Sequence, residues 1–114
     1  MADLKVLANK NRLQSIAPGF LWELGLCMTH GDTVYAPKNW QDAKTTDPED
    51  YIGAIMRHVM QYASGAGHYD QKTRLHHLAH AAASCMILYW HDRGDKIDPE
   101  RWCGCGQCSQ EASA

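Results

Sequence analysis

The sequence has little with which to grip a polyanion or enter a bilayer. Lys and Arg number 11 against 13 Asp and Glu, a net charge of −2, which excludes an electrostatic hold on bulk nucleic acid or an anionic membrane while leaving room for a local basic pocket. No apolar run is long enough to span a membrane, because the longest, near Ala79 to Trp90, is short and interrupted by His80 and Ser84. No strand alternation, internal repeat or low-complexity stretch stands out, and Met1 to Arg12 is polar and mixed in charge, unlike a secretory leader. The 5 cysteines cannot all pair within one chain. These shortages predict a protein of the reducing cytoplasm with no membrane role.

At 114 residues the chain is too short for a multi-domain enzyme and leaves much of its surface unburied, so a homo-oligomer is expected to supply the missing core. The predicted organisation is one helical domain over residues 1–102 and a Cys/Gly-rich tail over 103–114.

What is plentiful is histidine, 7 in all, six of which fall between His58 and His91. Cysteine is concentrated differently: Cys103, Cys105 and Cys108 form a CxCxxC cluster in the tail. Thiolates at that spacing offer three corners of a tetrahedral zinc site, but no fourth ligand is near, and a flexible thiol-bearing tail is the preferred reading.

Periodicity predicts an all-α fold, a small bundle of three main helices plus a short C-terminal one. Pro18 opens the first, with Phe20, Leu21, Leu24, Cys27 and Met28 on its apolar stripe and Gly31 as its expected stop. Asp32 to Thr46 reads as a long polar connection anchored by Tyr35 and Trp40, and loops of that length in small domains usually carry function. Asp47-Pro48-Glu49-Asp50 is the strongest local signal: an N-cap aspartate, proline in the first turn, then acids at the positive end of the dipole. The helix it starts should bury Ile52, Ile55, Met56, Val59 and Ala63 and end at Gly65 and Gly67. The third helix is expected from about Thr73 to Arg93, apolar on nearly all sides in its second half and therefore central; Asp98-Pro99-Glu100 should start the short last one.

At about 100° per residue, His77, His80, Ser84 and His91 share one sector of the third helix, opposite Leu75, Leu78, Ala82 and Tyr89. Imidazoles on so apolar a helix need partners, since an unpaired buried polar group costs on the order of 1–3 kcal/mol. A metal ion, an anionic phosphate or the protein's own carboxylates would each serve. With His58 from the preceding helix and Asp70 from the turn, His77 and His80 make a set suited to a divalent metal. Hydrogen-bonded core histidines are the competing reading, and His76 should face solvent.

Tyr35-Ala36-Pro37-Lys38-Asn39-Trp40, then Arg57-His58, then Asp70 and the run Leu75-His76-His77-Leu78-Ala79-His80-Ala81-Ala82, resemble the N-terminal domain of the dATP/dGTP diphosphohydrolases common among phage-encoded proteins. The similarity runs from about Arg12 to Asp92. It implies an all-helical protein of the host cytoplasm that binds a purine deoxynucleotide and, with Mg²⁺ or Mn²⁺, cleaves the triphosphate to monophosphate and pyrophosphate. Better-known all-helical pyrophosphohydrolases hold metal with ExxE and ExxD motifs. Neither occurs here: none of the glutamates, Glu23, Glu49, Glu100 and Glu111, has an acid three residues on. The chemistry therefore shifts to the histidines and Asp70.

Phosphoanhydride hydrolysis needs charge neutralisation, an activated water and positioning. Lys38 and Arg57 are the candidates for phosphate oxygens, His58, Asp70, His77 and His80 for metal and water, Trp40 or Tyr35 for base stacking, and Asn39 for the purine edge. A surface role for Lys38 and a loop-anchoring role for Trp40 stay open. So does a protein that sequesters a nucleotide or nucleotide-derived signal without turnover.

Overall fold

The Asp47-Pro48 signal does what its chemistry dictates. In the computed structural model, which describes residues 11–98 and 101, the Asp47 carboxylate accepts the Glu49 amide N–H at 3.0 Å and a helix runs from Pro48 to Ala63. Three helices and no strands make up the secondary structure of the described residues apart from 3-10 turns: α1 (Pro18–Val34), α2 (Pro48–Ala63) and α3 (His77–Arg93). The fold is all-α, as the periodicity predicts. None of these helices is long and apolar enough to cross a membrane.

Residues 17–95 form one compact unit, and of the described residues outside it Leu13–Ser15 makes a 3-10 turn. The short helix expected after Asp98, the Cys103, Cys105 and Cys108 cluster and the boundary after residue 102 lie outside the described residues.

Both flanking helices pack on α3. Small side chains at the contact allow this: Ala79 and Ala83 meet Cys27 of α1 in the buried core, with Leu24, Met28 and Leu75 packed around them. α3 also carries the buried His77, Ala81 and Ile87, so its place as the central element is as expected.

Four local expectations need correction. α1 does not stop at Gly31 but continues a turn further to Val34, closed by the Tyr35 amide on the Gly31 carbonyl. A glycine inside a helix costs only about 1 kcal/mol, and the real stop is Pro37, which disfavours helical backbone at the residue before it.

α3 starts at His77 rather than Thr73, because Asp70 takes the Lys72 and Thr73 amides at 2.9 Å each and holds the segment in a turn. Arg74 then adopts the left-handed region at φ 63°, which no helix accommodates. His76, expected in solvent, is half-buried and caps α3 by accepting the Leu78 amide at 3.0 Å on Nδ1.

The fourth correction concerns faces. On α2, Ile52, Met56 and Val59 remain 48%, 57% and 43% exposed, and the half-buried side is Tyr51, Ala54, Ile55 and His58. On α3, Tyr89 is 51% exposed while the histidine stripe turns inward. The inward faces of these helices thus carry His58, His77 and His80 beside Ile55, Ala79, Ala83 and Ile87, while several of the apolar residues expected inside stay exposed.

Candidate metal centre and adjoining cleft

The inward-facing histidines bring three ligand-type side chains together with Asp70 among them. His58 of α2, Asp70 of the turn and His77 of α3 each place one ligand atom within 4.8 Å of the others. The two imidazoles meet through their Nδ1 atoms at 2.9 Å. Two bonds of about 2.1 Å from one cation, set at a right angle, would hold their nitrogens about 3 Å apart, so the pair fits adjacent coordination positions. Two nitrogens and one carboxylate form a mixed donor set that divalent transition metals accept.

Protonation favours the same role. Burial, with neighbouring His80 and His77, pushes the His58 pKa below its ordinary value, and burial does the same for His80. Both stay neutral near pH 7, the ligand form of imidazole. Burial works to raise the Asp70 pKa, but the amide hydrogen bonds from Thr73 and Lys72 outweigh it, so the carboxyl lies below its usual range.

His80 stands beside this cluster. Its ring stacks on His58 with centroids 4.7 Å apart and planes 11° apart, and its Nε2 lies 2.7 Å from Thr73 Oγ1. The same side chain lines a cleft of about 450 Å³ between α1, the connection to α2, the start of α2 and the middle of α3. His30 of α1 and Ser84 of α3 also line it, as do Tyr35, Asn39 and Trp40 of the connection and Asp47, Asp50 and Tyr51 at the start of α2. A cavity of this size falls within the range that holds small-molecule ligands.

The connection between α1 and α2 is pinned. Asp32 Oδ1 accepts the Lys38 amide at 3.1 Å, the Trp40 carbonyl accepts Thr46 Oγ1 at 2.9 Å, and the Trp40 ring meets Trp90 edge-on at 5.4 Å. Trp40 thus anchors the loop and lines the cleft at once.

Of the residues proposed from sequence, His58, Asp70 and His77 come together, His80 joins them to the cleft, and Asn39 and Trp40 line it. Lys38 and Arg57 are not among the residues lining it. Lys38 sits in a left-handed turn with its side chain exposed, and the Arg57 guanidinium lies back along α2 over Gly53, where a Cβ would come within 3.1 Å of it.

Sequence reasoning missed Glu23, whose carboxylate accepts the His76 amide at 2.6 Å, and Thr73, which touches both Asp70 and His80. It also read Cys27 only as a stripe residue. Burial and then the carboxylates of Glu23 and Asp70 push its thiol up to about 11, so it borders the cleft as a neutral group.

Comparison with known proteins bears on this geometry. No solved structure matches the chain. A protein of Salmonella phage PMBT28 named dATP/dGTP diphosphohydrolase is 33% identical over 103 residues, covering 90% of this chain and 34% of the phage protein, so the chain spans about a third of that relative's length. Residues 2–100 match the family described as dATP/dGTP diphosphohydrolase, N-terminal. With all three described helices inside that match, the chain belongs to the dATP/dGTP diphosphohydrolase N-terminal family.

Proposed function

We propose that this chain binds a purine deoxynucleoside triphosphate in the cleft and hydrolyses it to the monophosphate and pyrophosphate, with His58, Asp70 and His77 holding Mg²⁺ or Mn²⁺. The observation that carries this reading is the double position of His80, which stacks on His58 and forms part of the cleft wall. Cation and nucleotide would then share one site. A divalent cation there supplies charge neutralisation and a more acidic bound water.

Charge sets the orientation of the nucleotide. Asp47 and Asp50 repel phosphates and accept hydrogen bonds from exocyclic amines, whereas His80 lines the cleft from α3 beside the cluster that would hold the cation. The base therefore lies toward the start of α2, near Asn39 and the aromatic rings of Tyr35 and Trp40, and the triphosphate toward His80. Lys38 and Arg57 serve phosphate binding only by reaching in from outside the cleft wall.

The name of the phage relative supports this substrate class. A non-catalytic binder is the second reading, favoured by the presence of one carboxylate, Asp70, in the metal cluster. Incubation with dATP or dGTP and Mn²⁺ separates the two. Pyrophosphate release that His77→Ala and His80→Ala both abolish, in variants that still melt cooperatively, supports the hydrolase; tight calorimetric binding with the triphosphate recovered intact supports the binder and overturns hydrolysis.

A further inference from the structure

Thr73 lies outside every motif discussed above, yet its hydroxyl is the junction of the site. Oγ1 is 3.3 Å from Asp70 Oδ1, 2.7 Å from His80 Nε2 and 3.2 Å from the Leu75 amide nitrogen. Of these three neighbours, the carboxylate can only accept, the amide can only donate, and the imidazole nitrogen can do either. The hydroxyl has one proton to give.

Two arrangements follow. If the hydroxyl proton goes to His80 Nε2, the hydroxyl oxygen faces the Asp70 carboxylate at 3.3 Å with no hydrogen between them, two electron-rich atoms in a half-buried setting. If it goes to Asp70, the oxygen accepts from Leu75 N–H and from His80 Nε2–H, and all three contacts are satisfied. The second arrangement leaves no conflict and adds a charge-assisted bond to an ionised carboxylate.

We infer that Thr73 is a positioning residue that links the Asp70 carboxylate to His80, fixing the His80 ring as its Nε2–H tautomer with Nδ1 as the free acceptor. A neutral imidazole with one committed nitrogen presents a single basic atom, as a water-orienting or ligand-binding group requires. The turn serves the same end. Asp70 Oδ1 also takes the Lys72 and Thr73 amides, and the Asp70 amide returns to the Leu75 carbonyl at 2.8 Å, so the carboxylate, the hydroxyl and the start of α3 are held in one rigid piece. The relay needs no metal to exist. Only its effect on turnover rests on the reading of the site as a nucleotide hydrolase.

The test is the tautomer of His80, read from the side-chain ¹⁵N shifts of the full chain without added metal at about pH 8, where imidazole is neutral. Wild type and Thr73→Ser are expected to show a protonated Nε2 and an unprotonated Nδ1, and Thr73→Val a mixture of both tautomers. A wild-type His80 protonated on Nδ1 overturns the proposal, as does a Thr73→Val spectrum identical to wild type. If Thr73→Val fails to fold, the wild-type spectrum still decides. Where turnover is observed, Thr73→Val should lower kcat about 10- to 100-fold with little change in KM, and serine should restore it. An inactive wild type with the expected tautomer would contradict the hydrolase reading and leave the relay standing.

Discussion

His58 and His80 show how single residues tie stability to the site. Each has its pKa held below the ordinary 6.5 by burial first, so the folded state resists their protonation while the unfolded chain accepts it. The sign follows: their contribution is present in full above about 6.5 and is lost as pH falls from there through their folded values. Asp70 behaves likewise lower on the scale, its contribution fading only below its ordinary 3.8. We expect the melting temperature of the metal-free protein to fall between about pH 7 and pH 5, and His80→Gln to flatten that slope. A slope unaltered in the variant would remove His80 from the account.

The pairing of His58 with His77 was legible in the sequence because consecutive antiparallel helices bring facing positions together. Thr73 and Glu23 were not legible. One acts through a turn whose geometry depends on Asp70 capturing two amides, and the other through a bond to a residue 53 positions away. The case of Lys38 and Arg57 is similar, since residue type shows charge but not direction.

At the level of elements, α3 is the axis on which α1 and α2 pack, and its Ala79 and Ala83 are what let α1 approach it. Ala79 is 1% exposed, so Ala79→Leu has no space to enter and should cost about 1–3 kcal/mol in denaturant unfolding. A neutral result would show that the helices are less closely packed than described.

Helix starts were readable where cap and proline coincide, as at Asp47-Pro48, and misread where a side chain captured the backbone first, as at Asp70 ahead of α3. Which face turns inward was misread for a different reason. Hydrophobic periodicity assumes that apolar residues meet the interior, but α2 turns His58 toward His77 and His80 of α3, and the apolar residues Ile52, Met56 and Val59 were left outside.

The molecule as a whole reflects that choice. Among the described residues the buried hydrophobic ones are Cys27, Ala79, Ala81, Ala83 and Ile87, while Trp22, Met56 and Met60 are 73%, 57% and 65% exposed. A chain of this size with small buried side chains has little core of its own, which is the physical argument for a homo-oligomer. Sedimentation at micromolar concentration should give a mass above the 12.8 kDa of one chain, and Met56→Glu should lower it; a monomer at that concentration would refute the expectation.

Everything proposed for function depends on one cation position shared by three elements and bordering the cleft. Paramagnetic broadening by substoichiometric Mn²⁺ in an NMR spectrum of the full chain tests this most directly. The account predicts that resonances of His58, Asp70 and His77 vanish first, those of Thr73 and His80 next, and that His77→Ala abolishes the order. Broadening that begins at exposed acids such as Asp42 or Asp95, or that spreads evenly through the chain, would contradict it.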